Sequence, residues 1–432
     1  MKPIKIFLSA YFLFTCIALQ AQTTSNQTSP KLIEGKVSEV GLSEERLARI
    51  DAMCIEAIEK KQVPGVVALV ARNGKIIYHK AFGTSNATTK EKLQKDDIFR
   101  LASQSKAITA TAVMMLWEQG KFRLDDPISN YIPEFKNPRV LDSLLVDGSY
   151  LTTAAKNEIT IRHLLTHTSG IGYGEIDPDE RFKKMYQKAE IVDLFTTKEI
   201  TIAQNIKKLA KLPLHHNPGD AFTYSESYDV LGYFIEVISG MPFDLFLRKH
   251  IFDPLEMDDT YFYIPQNKAN RLVSVQTKKE DQWINYPITF YDPQYPIKGE
   301  KQFFSGGAGL SSTALDYAKF LQMYLNKGEL NGIRLLSRTT VDVILSNHIN
   351  ELWGKDSSAH YGLAFMVQNQ KGGDAGGSGS MGSFSWAGYF NTQYFADPEE
   401  QIIGILLKQT QKVSSDQTGW KFPLLVIQSI DD

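Results

Sequence analysis

Cysteine is nearly absent from this chain of 432 residues, which has only Cys16 and Cys54. Cys16 lies in the N-terminal apolar run 6–19, so a chain trimmed after that run keeps a single cysteine and no intramolecular disulfide. Cys54 shares a helical pattern with Leu47, Ile50, Ala57 and Ile58, and is expected to be a small buried hydrophobe. An excess of one charge is also lacking. The net charge is −2, with no basic run or face, which excludes nucleic acid as an electrostatic partner and leaves a small molecule as the expected ligand. No internal repeat and no low-complexity tract is present.

Long apolar runs are confined to 6–19, too short to span a bilayer comfortably. With Lys2 and Lys5 before it and Gln20-Ala21-Gln22 after it, this segment predicts an export signal over residues 1–21 and a periplasmic or secreted mature chain. Leu13-Phe14-Thr15 places bulky residues where lipid attachment at Cys16 wants small ones, so no lipid anchor is expected. Three catalytic signatures are missing as well. No serine has glycine at both −2 and +2, so there is no nucleophile elbow. The eight histidines form no H-E-x-x-H; His215-His216 reads as loop before Pro218, and His163 and His167, four apart on a short helix, are expected to make structural hydrogen bonds, leaving no metal and no cofactor. Glycine-rich 372–382 lacks a following Lys-Ser/Thr and reads as a flexible loop near the site.

What is present is 43% hydrophobic and 22% charged, enough for two packed lobes. Residues 22–42 read as a flexible lead-in, and 43–61 as a helix started by Ser43 and Glu45. A β-hairpin follows over 65–82, turning at Asn73-Gly74. Residues 137–158 form an insertion with little periodicity, and 161–165, 227–239 and 313–326 read as helices. Strand patterns return at 362–369, 382–388, 389–395 and 401–408, before a closing helix over 420–430. Strands at both ends with helices between them predict an α+β fold, one sheet made by both termini and flanked by helices. Its sheet lobe would be 43–100 and 305–430, and its inserted helical lobe 101–304.

Within the helical pattern of 99–120, Ser103 and Lys106 stand three residues apart, hence on one face, with Ile108, Val113, Met114 and Trp117 to bury the helix. A hydroxyl beside an amine is a nucleophile beside a base, because a desolvated, neutral amine can take a proton.

Around that pair stand Asp125-Asp126-Pro127, Leu164-Leu165-Thr166-His167-Thr168-Ser169-Gly170, Pro218-Gly219 with Tyr224-Ser225, Pro254-Leu255-Glu256-Met257, and Gly306-Gly307-Ala308-Gly309. In order and spacing the chain resembles the serine β-lactamase and penicillin-binding protein superfamily, nearest to class C β-lactamases and family VIII carboxylesterases. The resemblance implies Ser103 as acylated nucleophile, Lys106 as its proton acceptor, and Tyr224 as the phenol passing the proton to the leaving group. Glu226 stands where class C enzymes usually have asparagine; an ionised carboxylate only accepts, whereas an amide also donates. No Lys-Thr-Gly is found in the C-terminal strands; Trp386-Ala387-Gly388 is the match, resembling the Trp-x-Gly of the esterases. Gly388 would let substrate lie along a strand edge, and the Tyr389 N–H with that of Ser103 would form an oxyanion hole. The expected activity is therefore acyl-enzyme hydrolysis of small esters or amides. Its rivals are a D-amino-acid peptidase or β-lactamase acting on cell-wall peptides or β-lactams, and a non-catalytic receptor for peptides or lactams.

Overall fold

The computed structural model describes residues 23, 24, 29 and 31–432, so the export signal and Cys16 lie outside the described residues. Eight strands form the main sheet: β1 (Ile33–Glu34), β2 (Gly65–Arg72), β3 (Lys75–Gly83), β4 (Ala359–Tyr361), β5 (Met366–Gln368), β6 (Phe384–Gly388), β7 (Thr392–Asp397) and β8 (Ile402–Leu407). Their spatial order is β4-β5-β6-β7-β8-β2-β3-β1. Strands from both termini thus meet at β8 and β2, which pair antiparallel from Ile402↔Arg72 to Leu407↔Val67. The β2–β3 hairpin turns where Asn73 and Gly74 both have positive φ, 54° and 76°, as a type I′ turn requires.

Both sheet faces are covered, which is why β2 and β8 are buried along their whole length. On the outer face lie α1 (Glu44–Glu59) and the closing helix α5 (Thr418–Ile427), packed with Val66, Phe395 and Leu406 around buried Cys54. Ser43 caps α1 by accepting from the Arg46 N–H at 3.3 Å. On the inner face, α4 (Ala314–Leu325) packs against β2 and β8. Beyond it, α2 (Ser105–Glu118) lies against α3 (Ser227–Ser239), the centre of the helical lobe. Gly240 ends α3 at φ 69°.

Several expectations are corrected. The helix carrying Lys106 starts two residues after Ser103: Phe99–Arg100 is a short strand paired with Ser311–Ser312, and Ser103 sits in a 3-10 turn, Ala102–Gln104. The insertion is a β-hairpin, Arg139–Leu144 with Tyr150–Ala154, irregular between Leu141 and Ser143. Part of the lead-in is tied down, since β1 pairs in parallel with β3 and the Ser43 N–H donates to the Ser429 carbonyl. The glycine-rich loop opens as a short helix, Gln370–Ala375, and a helix the sequence reading passed over spans Arg338–Leu345. No single helix among the described residues is long and apolar enough to cross a membrane.

Candidate active site

Ser103 and Lys106 come together because the 3-10 turn runs directly into α2. The turn begins at Ala102, buried with φ 48°, a left-handed conformation that costs a residue with a side chain about 1 kcal/mol or more and is held by the packing around it. Lys106 Nζ lies 3.3 Å from Ser103 Oγ, 3.3 Å from Tyr173 Oη and 2.8 Å from the Gly307 carbonyl oxygen, and the lysine is fully buried. The bonds to the Gly307 carbonyl and Tyr173 hold the amine against Ser103 Oγ.

The Gly307 carbonyl is itself fixed. Buried Asp229 on α3 accepts from the Gly307 N–H and from Ser305 Oγ, both at 2.7 Å. Burial pushes the Asp229 carboxyl up to about 6, against the bonds it accepts. A Cβ on Gly306 would overlap the Tyr228 carbonyl, so the loop reaches α3 only with glycine there. Thr109 Oγ1 donates to the Gly306 carbonyl at 2.7 Å, and the Leu310 N–H to Ser105 Oγ at 3.1 Å, tying the loop to α2.

Two phenols flank the amine. The ring of Tyr224 lies beneath Lys106 Nζ, 4.6 Å from its centroid, while its Oη accepts from Trp386 Nε1–H at 3.2 Å. Tyr224 and Ser103 line one cavity of about 670 Å³. The hydroxyl that takes a hydrogen bond from the amine is that of Tyr173, which the sequence reading missed. Burial pushes the Tyr173 phenol well above its ordinary value, so it stays a neutral holder of the amine. His167 packs its ring 4.4 Å from that of Tyr224 and accepts from the Ser225 N–H through Nδ1. Burial drives His167 well below its usual range, and His163 Nδ1 accepts the Thr160 N–H in a capping box; both are structural, as expected.

Trp386 and Gly388 are on β6, and Tyr389 follows it; all three line the cavity. A Cβ on Gly388 would overlap the Leu101 carbonyl, so besides edging the cavity this glycine lets β6 approach the Ser103 turn. The Tyr389 N–H has no acceptor among the described residues. Glu226 does not join the lining. It is fully buried, and burial, with Asp193 and Asp229 near it, pushes its carboxyl well above the carboxylate range. The acceptor-only anion expected at the substrate is thus corrected: Glu226 is a buried carboxyl outside the cavity lining, and burial disfavours its ionised form. No group of three or more histidine, cysteine, aspartate or glutamate side chains among the described residues is arranged to hold a metal ion.

A serine, a buried lysine and a tyrosine around a strand edge is a constellation that a family comparison can decide. The beta-lactamase family model matches residues 50–427. The chain belongs to the beta-lactamase family. It is 36% identical over 215 residues to esterase EstB of Burkholderia gladioli, a match covering 50% of this chain and 51% of EstB. It is 29% identical over 298 residues to the lovastatin esterase of Penicillium rubens, covering 68% and 71%. Among solved structures, EstCE1, a hydrolase with promiscuous acyltransferase activity, superposes with a TM-score of 0.73 at 25% identity, over 90% of this chain and 99% of that one. As a member of this family the chain is a serine hydrolase, and the mixed α+β architecture expected from the sequence is the beta-lactamase fold.

Proposed function

We propose that this beta-lactamase-family enzyme is an exported esterase that hydrolyses uncharged esters through an acyl-enzyme. Ser103 Oγ attacks the ester carbonyl carbon as Lys106 takes its proton. The oxyanion is held by the N–H groups of Ser103 and Tyr389. As the carbon–oxygen bond to the alcohol breaks, the alcohol takes a proton delivered through Tyr224, the phenol that reaches the cavity. Water then attacks the acyl carbon and loses its proton to Lys106, which returns it to Ser103 Oγ as the acyl carbon–Oγ bond breaks, releasing the acid and free Ser103.

The observation that carries the choice of substrate is the wall of the cleft: no lysine or arginine lines it, and Trp386 occupies the strand position of the family's usual cation. A carboxylate-bearing substrate, such as a penicillin or a peptide ending in a free D-amino acid, would find no countercharge there. EstB and the lovastatin esterase, whose names describe ester substrates, support the same reading. Export rests on Lys2, Lys5, the run 6–19 and Gln20-Ala21-Gln22.

The test is a comparison of p-nitrophenyl butyrate, a chromogenic cephalosporin and a D-Ala-D-Ala peptide. Turnover of the butyrate, abolished by Ser103→Ala, with the other two slower by roughly a hundredfold or more in kcat/KM, is expected. Faster turnover of the cephalosporin or the peptide would overturn the esterase reading.

A further inference from the structure

The cavity that holds Ser103 does not stop at the plane of the sheet. β5 pairs with β6 only through Met366↔Ser385 and Val367↔Phe384, so Trp386, Ala387 and Gly388 present an open edge on that side. Successive side chains of a strand face opposite ways. Trp386, in register with Tyr394, belongs with the inner core, while Ser385 and Ala387 are in register with Phe395 and Gln393, and Phe395 packs in the outer core. One cavity of about 670 Å³ is lined from both sides of this edge. Ser103, Tyr224 and Trp386 line the inner part, and Ser385, Ala387, Gln393, Phe395, Gly419 and Pro423 the outer part.

Three further features mark the outer part as a place for apolar chain. No charged side chain lines any of the cavity. Met366, which lines it, is 37% exposed, and Trp420, beside Gly419 on α5, is 61% exposed. Met381 is 57% exposed and belongs to the same glycine-rich segment as Ser378, another lining residue. The exposed Met366 thioether, in the lining itself, is suited to adapt to an apolar occupant.

We propose that the outer groove is a second substrate subsite that takes the acyl chain of a long, uncharged ester. The inference rests on the hydrolase reading above, which sets the direction. The carbonyl oxygen points between the Ser103 and Tyr389 amides and the alcohol must meet Tyr224 on the helical lobe. The acyl arm is then left to run over the open edge at Ala387 onto the outer face. A chain that ends in a carboxylate is disfavoured, because neither part of the cavity offers it a cation.

The experiment measures kcat/KM for p-nitrophenyl esters from acetate to dodecanoate in the unaltered enzyme and in Ser385→Trp and Ala387→Phe, which fill the groove. The unaltered enzyme is expected to favour octanoate to dodecanoate over acetate by roughly tenfold or more. The two bulky variants are expected to lose that preference and to select short chains. A profile that is flat or falls with length in the unaltered enzyme overturns the subsite alone. So does an equal loss at every length in both bulky variants. No turnover at any length, with no acyl group on Ser103, overturns the hydrolase reading and the subsite with it.

Discussion

Lys106 has one amine and three polar neighbours, and the division of labour among them decides what Ser103 can do. Tyr173 is buried and holds the amine, whereas Tyr224 is half-exposed in the cavity and takes a bond from Trp386. Tyr224→Phe should therefore lower kcat by roughly a hundredfold or more, as expected for losing a proton-transfer group. Tyr173→Phe should cost less, since it removes a holder. Steady-state kinetics on p-nitrophenyl butyrate separates the two, and equal losses would contradict the assignment. Trp386→Phe keeps the ring and removes one donor to Tyr224, so kcat should fall roughly tenfold with little change in KM. Asp229 gives a test by pH. Its carboxyl is raised from 3.8 to about 6 in the folded protein, so between those values the folded state holds a proton that the unfolded state has lost. The stability this lends is whole below pH 3.8 and gone above about 6. Denaturant titrations should show the unaltered protein losing about 3 kcal/mol relative to Asp229→Asn as pH rises through this window. A pH-independent difference would contradict the buried, raised carboxyl.

At the scale of elements, the site depends on β6 meeting the turn that carries Ser103. Gly388→Ala drives a methyl into the Leu101 carbonyl and should destabilise by about 1 to 3 kcal/mol, measured by chemical denaturation. The far end of the β6–β7 hairpin is held by Asn391, whose side chain donates to Asp416 at 2.8 Å, and Asp416 in turn pairs with fully buried Lys408 at 2.6 Å. Asp416→Ala leaves that lysine unpaired and should cost about 3 to 5 kcal/mol. Elements whose signals are local were legible in the sequence. The β2–β3 hairpin has Asn73-Gly74, and α3 has an apolar run closed by Gly240. The hairpin at Arg139–Leu144 and Tyr150–Ala154 was not legible, because the irregularity between Leu141 and Ser143 breaks its alternation and leaves Val146 fully exposed at its tip. In the site, Ser103, Lys106, Tyr224 and Trp386 could be named from motifs. Tyr173 and Asp229 could not, because their roles arise from contacts across 67 and 78 residues of chain. The one signal Asp229 offered was a lone acid within the apolar turn Tyr228 to Leu231.

At the scale of the whole molecule, two lobes enclose a cleft whose floor is a strand edge. A neutral cleft with no countercharge for carboxylates fits the proposed ester substrate on the beta-lactamase fold. The hairpin that follows α2 contributes nothing to the cavity lining, which takes Ile176 and Leu194 from the helical region, β6 and Tyr389 from the sheet and Ser378 from the glycine-rich segment. The account's central claim is the covalent one, that Ser103 carries the acyl group. Its most direct test is intact-mass spectrometry of the enzyme quenched during turnover of p-nitrophenyl butyrate, followed by mapping of the modified peptide. A butyryl group on Ser103, absent from Ser103→Ala together with all turnover, is the predicted result. Undiminished ester turnover by Ser103→Ala, or an acyl group on another residue, would contradict it.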